Sequence, residues 1–150
     1  MKTVIEMLNK ATPLPKGFHI RVENAPYMPL VIEGIGPGPR GHRAISVAHY
    51  YSQNGDAMRD PEMCFEVETD QEGQIVEFYP YYFLNDGLHV EETAVESTGK
   101  DLEDNPTFIT HTAKLKAQVE FAVEWDQNLN AQGFREAFAK LLPEASPLLS

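Results

Sequence analysis

The chain has 150 residues, of which 42% are hydrophobic and 10% aromatic, and its formal net charge is −11. A chain of this length buries roughly 68–70% of its unfolded surface, so the composition predicts one packed domain and excludes global disorder. The apolar runs, such as residues 28–32, are too short to cross a bilayer, which predicts a protein without membrane contact.

The N-terminal residues and the single cysteine indicate the compartment. The first residues lack the extended apolar stretch of a secretory signal. Cys64 cannot form an internal disulfide, and it alternates with Met63 and Phe65 in a strand-like run, so we expect a packed and unreactive thiol. We therefore predict a cytoplasmic protein.

The negative charge is concentrated in the middle of the chain. Residues 52–105 contain 15 acidic and two basic residues, a net charge of −13, whereas the rest of the chain carries eight acidic and ten basic residues. Such a segment repels phosphate backbones, which disfavours direct nucleic-acid binding, and it attracts basic proteins or metal ions. A solvated acidic surface that only maintains solubility is the alternative explanation.

The first half of the chain predicts one helix followed by strands. Residues 2–10 have apolar side chains at helical spacing, and residues 18–23 alternate as in a half-buried strand. Residues 27–36 predict a second strand, which we expect at a sheet edge because Pro29 cannot donate to a ladder. Residues 34–41, GIGPGPRG, predict a flexible connection.

Four further short strands are predicted at residues 44–53, 62–69, 75–83 and 88–96. Close turns separate them, so they form an antiparallel meander. In the first of these strands the alternation places His49 and Tyr51 on the apolar face. In the next strand it directs three carboxylates outward, namely Glu62, Glu66 and Glu68.

The C-terminal part predicts helices. A polar run at residues 97–104 closes the sheet, and Asn105-Pro106 has the form of a helix start. An apolar stripe at helical spacing follows, formed by Leu115, Val119, Ala122 and Val123, with Phe108 as a further candidate. Trp125 is expected in the core. The helix breaks near residues 130–133, and a last short helix ends before Pro143.

The predicted fold class is therefore α+β. Residues 1–150 form a single domain, in which a curved antiparallel sheet of five to six strands is covered by N-terminal and C-terminal helices.

The stretch HYYSQNGDAMRDPEM, residues 49–63, is the candidate reaction centre. If the third and fourth strands pair, residues 54–61 form the loop between them, and His49, Asp56, Asp60 and Glu62 can meet at one end of the sheet. Three carboxylates and an imidazole suit manganese or zinc, which can activate water for hydrolysis.

A structural explanation accounts for each residue of the same stretch separately. Asn54-Gly55 supplies a turn, Asp56 and Asp60 can organise nearby backbone, and His49 can be a buried core residue. The spacing matches no compact metal motif, so the sequence predicts no cofactor and leaves a metal site open.

The run FYPYYF, residues 78–83, has more rings than one face of a strand can bury, so some rings face solvent or another chain. Together with the acidic segment, this surplus predicts a surface that binds a protein partner or a second copy of the chain. The candidate binding residues are His49, Tyr51, Asn54, Asp56, Asp60, Glu62, Tyr81 and Tyr82.

Three runs of the sequence carry a family resemblance: RVENAPYMPLVIE, ISVAHYYSQNGDAMRDPEMCFEV and FYPYYFLNDGLHVEE. They resemble a family of uncharacterised small bacterial proteins that are often carried on plasmids and phages. The resemblance covers about residues 3–95, and HYYSQNGDAMRDPEM is its most specific part. It implies a cytosolic protein in a mobile-element setting, and it transfers no catalytic residue.

Two functional hypotheses follow from the sequence. The first is a non-enzymatic protein-binding module of a mobile genetic element, acting through the acidic, Tyr-rich sheet surface, with DNA mimicry or an anti-defence role as special cases. The alternative is a metal-dependent hydrolase or nuclease that uses His49, Asp56, Asp60 and Glu62. A homodimer formed through the aromatic face is a third, structural possibility.

Overall fold

The structure is a computed structural model that describes residues 1–142. Its helices and strands, in chain order, are α1 (Lys2–Lys10), β1 (His19–Asn24), β2 (Tyr27–Ile35), β3 (Ala44–Gln53), β4 (Asp56–Thr69), β5 (Ile75–Asn85), β6 (Val90–Thr93), β7 (Val95–Lys100), β8 (Pro106–Thr110), α2 (Thr112–Ala131) and α3 (Phe134–Ala139). The predicted α+β fold is confirmed.

The main sheet has six antiparallel strands in the order β1-β2-β3-β4-β5-β6, which is also their order in the chain. Helices α1 and α2 pack against β5, and α3 packs against β1. These contacts confirm the prediction that helices from both ends of the chain cover the sheet. Strands β7 and β8 form a separate two-stranded sheet.

Alternation along the strands gives the main sheet two different faces. The inner face lies under the helices, and its central residues are Ile45, Val47, Met63, Phe65 and Val67. The outer face is the opposite side, with Ser46, Ala48, Tyr50, Glu62, Cys64, Glu66, Tyr79 and Tyr82 along strands β3, β4 and β5.

The core lies between the inner face and the three helices. Trp125, Leu129, Phe134 and Phe138 of the C-terminal helices are at most 5% exposed, and they belong to the same cluster as Met7 of α1. Each large apolar side chain removed from water in this way contributes about 1.5–3 kcal/mol. Burial of Trp125 confirms its predicted place in the core.

The stretch predicted as a loop, residues 54–61, is mostly strand. Asn54 and Gly55 have φ values of 52° and 85°, so they close a two-residue hairpin, and β4 begins directly after them at Asp56. The loop prediction was wrong because the Asn-Gly step needs no further residues to turn the chain. A register shift opposite His49, at Asp60-Pro61, then lets pairing resume at Glu62.

The predicted edge position of the second strand is also wrong, since β2 lies between β1 and β3. Pro29 is tolerated because pairing with β1 shifts register near Asn24, and because pairing with β3 begins only at Leu30. Proline at a bulge leaves no ladder hydrogen bond broken.

The region predicted as a sheet-closing run and helix start forms the β7–β8 hairpin instead. Pro106 begins β8 and Phe108 lies within that strand, so α2 starts only at Thr112. The predicted apolar stripe is only partly correct: Ala122 is buried, whereas Val119 and Val123 are 46% and 53% exposed. Gln118 takes the buried position one turn before Ala122.

The predicted helix break near residues 130–133 is confirmed. Gly133 adopts a φ of 84° and separates α2 from α3. Helix α3 ends at Ala139, and the predicted stop at Pro143 lies outside the described residues.

Residues 36–43, which include most of the connection predicted at residues 34–41, are hydrogen-bonded to the sheet. Glu66 lies on the outer face, as predicted, and it is fully buried there beneath this segment. Its carboxylate accepts hydrogen bonds from Nη1 of Arg40 at 2.8 Å and from the backbone N–H groups of Arg40 at 3.2 Å and His42 at 2.9 Å. The predicted outward direction of Glu66 is confirmed, and its charge has partners inside the fold.

Gly38 permits this close approach. A Cβ atom at Gly38 would collide with Cγ and Cδ of Glu66, and Glu66 cannot move away without losing its three hydrogen bonds. Gly38→Ala should therefore lower the free energy of unfolding by about 1–3 kcal/mol, measured by denaturant titration.

Gly36→Ala is the matched control in the same segment, because a Cβ at Gly36 meets no atom within 4 Å. Its free energy of unfolding should change by less than about 1 kcal/mol. Equal losses of unfolding free energy in Gly38→Ala and Gly36→Ala would contradict the packing of this segment on Glu66.

Candidate functional site

A polar row crosses the outer face. Arg59 donates from Nε to Asp86 at 3.0 Å and from Nη1 to Glu62 at 3.1 Å, and the Ser46 hydroxyl donates to Glu62 at 2.6 Å. Hydrogen bonds from Arg59 lower the pKa of Asp86. Because Arg59 has carboxylates on two sides, its charge is already neutralised within the fold.

Tyrosines lie beside this row. Burial raises the pKa of Tyr82 to about 12, with further contributions from the charges of Glu91 and Glu62. Burial also raises the pKa of Tyr50, and the charges of Glu62 and Glu33 act in the same direction. These shifts indicate that partly desolvated tyrosine rings share the outer face with negative charge.

Cys64 lies between these groups and does not provide a nucleophile. Burial, followed by the charge of Glu62, raises the pKa of the Cys64 thiol to about 12. Its hydrogen-bonding neighbours are Ser46 and Tyr81. A thiol with this pKa is almost entirely protonated at neutral pH, and the thiolate is the reactive form.

A groove lies beside the tyrosines. Tyr81, Tyr82 and Thr93 form part of its lining, together with residues 37–39 of the segment anchored on Glu66 and residues 95–97 of β7. Its volume is about 560 Å³. The groove is therefore bounded by two elements that come from distant parts of the chain.

The acidic segment remains mostly unneutralised. Of the 15 acidic residues between positions 52 and 105, five form ion pairs: Glu62, Glu66, Asp86, Glu96 and Asp104. The other ten form none within residues 1–142. They occur at the β4–β5 turn, along β6 and at the β7–β8 turn, among other positions.

The structure brings together only some of the predicted binding residues. Glu62, Tyr81 and Tyr82 lie near one another on the outer face or in its groove. Asn54 and Asp56 lie at the exposed hairpin end. Three more lie elsewhere: His49 is buried at the inner face, Tyr51 pairs with Met58 further along β3, and Asp60 accepts a hydrogen bond from Asn85 at 2.6 Å.

The four metal candidates are not brought together. Asp56 is at the hairpin end, Glu62 is bonded to Ser46 and Arg59, and His49 lies on the other side of the sheet. Across the part of the chain that the structure describes, no three His, Cys, Asp or Glu side chains are placed to hold a metal ion.

His49 is instead a core residue in an aromatic environment. Its ring centroid lies 5.5 Å from those of both Trp125 and Phe134, and its Nδ1 is 3.3 Å from the carbonyl oxygen of Pro29. Burial lowers the pKa of His49 below its ordinary value of 6.5, although the Pro29 carbonyl and the charge of Asp60 oppose this shift.

Several residues of the outer face were missed as site candidates. Tyr50 follows His49 in the sequence and could have been found by alternation, because it occupies the opposite face of β3. Alternation along a strand does not reveal two other pairs of the outer face, Arg59–Asp86 and Arg40–Glu66. Each of these pairs joins residues 26 or 27 positions apart, and local periodicity does not report such contacts.

Within residues 1–142, no helix combines the length and apolar character needed to span a membrane.

The lowered pKa of His49 predicts a specific pH dependence of stability. The folded protein disfavours protonated His49, whereas the unfolded chain binds the proton normally, so stability should fall as the pH drops below about 6.5 and level off below the folded-state pKa. Denaturant titrations at pH 7.5 and 5.5 should show a smaller loss in His49→Gln than in the wild type.

His42→Gln is the control for this comparison, because His42 is exposed. Between pH 7.5 and 5.5, His42→Gln should lose as much stability as the wild type does. An identical pH dependence in His49→Gln and the wild type would contradict the burial of a neutral His49.

Comparison with known proteins gives a family but no activity. A family model described as a domain of unknown function, DUF6908, matches residues 2–135. No curated protein and no solved structure matches the chain. The match extends through the main sheet, the β7–β8 hairpin and α2, so it includes the outer face and its groove. The chain belongs to the DUF6908 family of domains of unknown function.

Proposed function

We propose that this protein is a non-enzymatic protein-binding module that engages a basic segment of a partner through the groove of the outer face. The observation that carries the proposal is the position of Tyr82 beside both an open groove and the carboxylate of Glu91, which forms no ion pair within residues 1–142. Tyrosine is favoured at protein interfaces because it offers both an apolar ring and a polar hydroxyl.

Charge supports a basic partner. Arg59 and Arg40, the arginines of the outer face, are already bonded to carboxylates of the fold. Glu91 is exposed beside Tyr82 and forms no ion pair within residues 1–142. A partner lysine or arginine can therefore meet both a tyrosine ring and a carboxylate, while the net charge of −11 accelerates encounter.

The arrangement favours recognition of a basic segment over mimicry of DNA. A mimic needs rows of carboxylates on one exposed face. The unpaired carboxylates here are scattered over the two ends of β4, the start of β5, two hairpin turns and β6. Tyrosine rings and a carboxylate beside one groove instead suit a short basic segment of a partner protein.

No observation on the described residues favours the metal-dependent hydrolase. No three of its four candidate ligands are placed to hold one metal ion. The cytoplasmic location and the setting on a plasmid or phage are further parts of the proposal, and they rest on the family resemblance of residues 3–95 and on the single cysteine.

Site-specific photo-crosslinking tests where the partner binds. A benzophenone amino acid at position 82 should capture a partner in cells of the native host, whereas the same group at position 123, on the exposed side of α2, should not. Capture at position 123 alone would overturn the proposal. Capture of a second copy of this chain at position 82 would show that the groove forms a homodimer instead of binding a different protein.

Titrations with the captured partner then test the chemistry. Tyr82→Ala and Glu91→Gln should each raise the Kd by about 10-fold or more, and added salt should weaken binding of the wild type. Glu124→Gln removes the same charge from exposed α2 and is the matched control, with an expected change below about 2-fold. Equal effects of Glu91→Gln and Glu124→Gln would exclude local recognition at the groove.

A further inference from the structure

A second cavity lies at the end of the sheet where β3 begins, β4 ends and β5 begins. Leu14, Phe18, Ile45, Val67 and Ile75 provide its apolar lining, and its volume is about 250 Å³. Four of these five side chains also belong to the core cluster as buried members. The cavity shares no lining residue with the groove of the outer face.

The connection between α1 and β1 forms one wall of this cavity and is fastened by specific hydrogen bonds. Gln74 donates to the Thr12 hydroxyl at 2.9 Å, and Arg43 donates from Nη2 to the carbonyl oxygen of Leu14 at 3.3 Å. Asn9, at the end of α1, exchanges two hydrogen bonds with the backbone of Ile75. The wall is thus held in place without filling the space behind it.

The size of the cavity fits a small molecule. An apolar protein cavity of about 150 Å³ accommodates benzene, which has six non-hydrogen atoms, so 250 Å³ corresponds to about ten such atoms. Water against the apolar part of the lining lacks polar partners, and an apolar ligand group that displaces it gains affinity.

Arg43 is the charged group of the cavity lining, and it differs from the other arginines. Arg21, Arg40, Arg59 and Arg135 each form an ion pair with a carboxylate. Arg43 forms none within residues 1–142, although the protein has a net charge of −11. Its guanidinium has five N–H donors, one of which is used on the Leu14 carbonyl, so the others are available to a carboxylate supplied by a ligand.

We propose that this cavity binds a small monocarboxylate with an apolar body of about seven or eight carbon atoms, with the carboxylate on Arg43 and the chain against Phe18, Ile45, Val67 and Ile75. The cation and the apolar lining together select this class. A neutral hydrocarbon gives Arg43 no counter-charge, and a small anion such as acetate leaves the apolar lining in contact with water.

Calorimetric titration with sodium octanoate, which has ten non-hydrogen atoms, tests the site. The wild type should bind one octanoate per chain saturably, and acetate should bind at least about 10-fold more weakly. Arg43→Gln should weaken octanoate binding by about 10-fold or more and leave the weaker binding of 1-octanol unchanged. Absence of saturable octanoate binding up to about 10 mM would overturn the proposal.

Two further variants complete the test. Arg21→Gln makes the same change in net charge at an exposed arginine of β1 and should change octanoate affinity by less than about 2-fold. Thr69→Trp, at the exposed rim, should obstruct the cavity and abolish binding of both octanoate and octanol. Equal losses of octanoate affinity in Arg43→Gln and Arg21→Gln would also overturn the proposal. If Thr69→Trp does not fold, the comparison of these two arginine variants is the deciding test.

Discussion

The burial of Glu66 beneath the segment 36–43 is the interaction on which the outer face depends. Removing a carboxylate from water costs several kcal/mol, and only well-placed partners offset that cost. Arg40 and two backbone N–H groups supply those partners, and Gly38 allows the backbone to approach closely enough. The bonds hold residues 37–39 beside the tyrosines of β5, so the groove has a fixed wall.

The main sheet divides structural and functional requirements between its two faces. The inner face is closed by three helices and accounts for most of the buried apolar surface, with His49 neutral among Trp125 and Phe134. The outer face is polar and carries a row of hydrogen bonds through Arg59 and Glu62. Alternation along β3 and β4 thus allows a 150-residue chain to have a stable core and an open, charged surface on the same strands.

Local patterns were sufficient for the class of fold and insufficient for the site. The helical spacing of residues 2–10 and the alternation around Ile45 and Val47 report burial directly, and both elements form as predicted. Pro106 was assigned wrongly to a helix start because pairing with β7 outweighs its intrinsic preference. Glu66 points outward as predicted, whereas its burial beneath Arg40 depends on a contact 26 residues away that leaves no local pattern. The charge of residues 52–105 was evident from the sequence, whereas its partial neutralisation by Arg40 and Arg59 required the fold.

Amide hydrogen exchange of the free protein tests the central claim most directly, because the N–H groups of Arg40 and His42 are the donors that anchor the segment on Glu66. Both amides should be protected nearly as strongly as those at the centre of β3, and Glu66→Gln should weaken their protection selectively, leaving the β3 amides unchanged. Exchange of the Arg40 and His42 amides as fast as that of the exposed Asn54-Gly55 turn would contradict the account, because the groove would then lack a fixed wall.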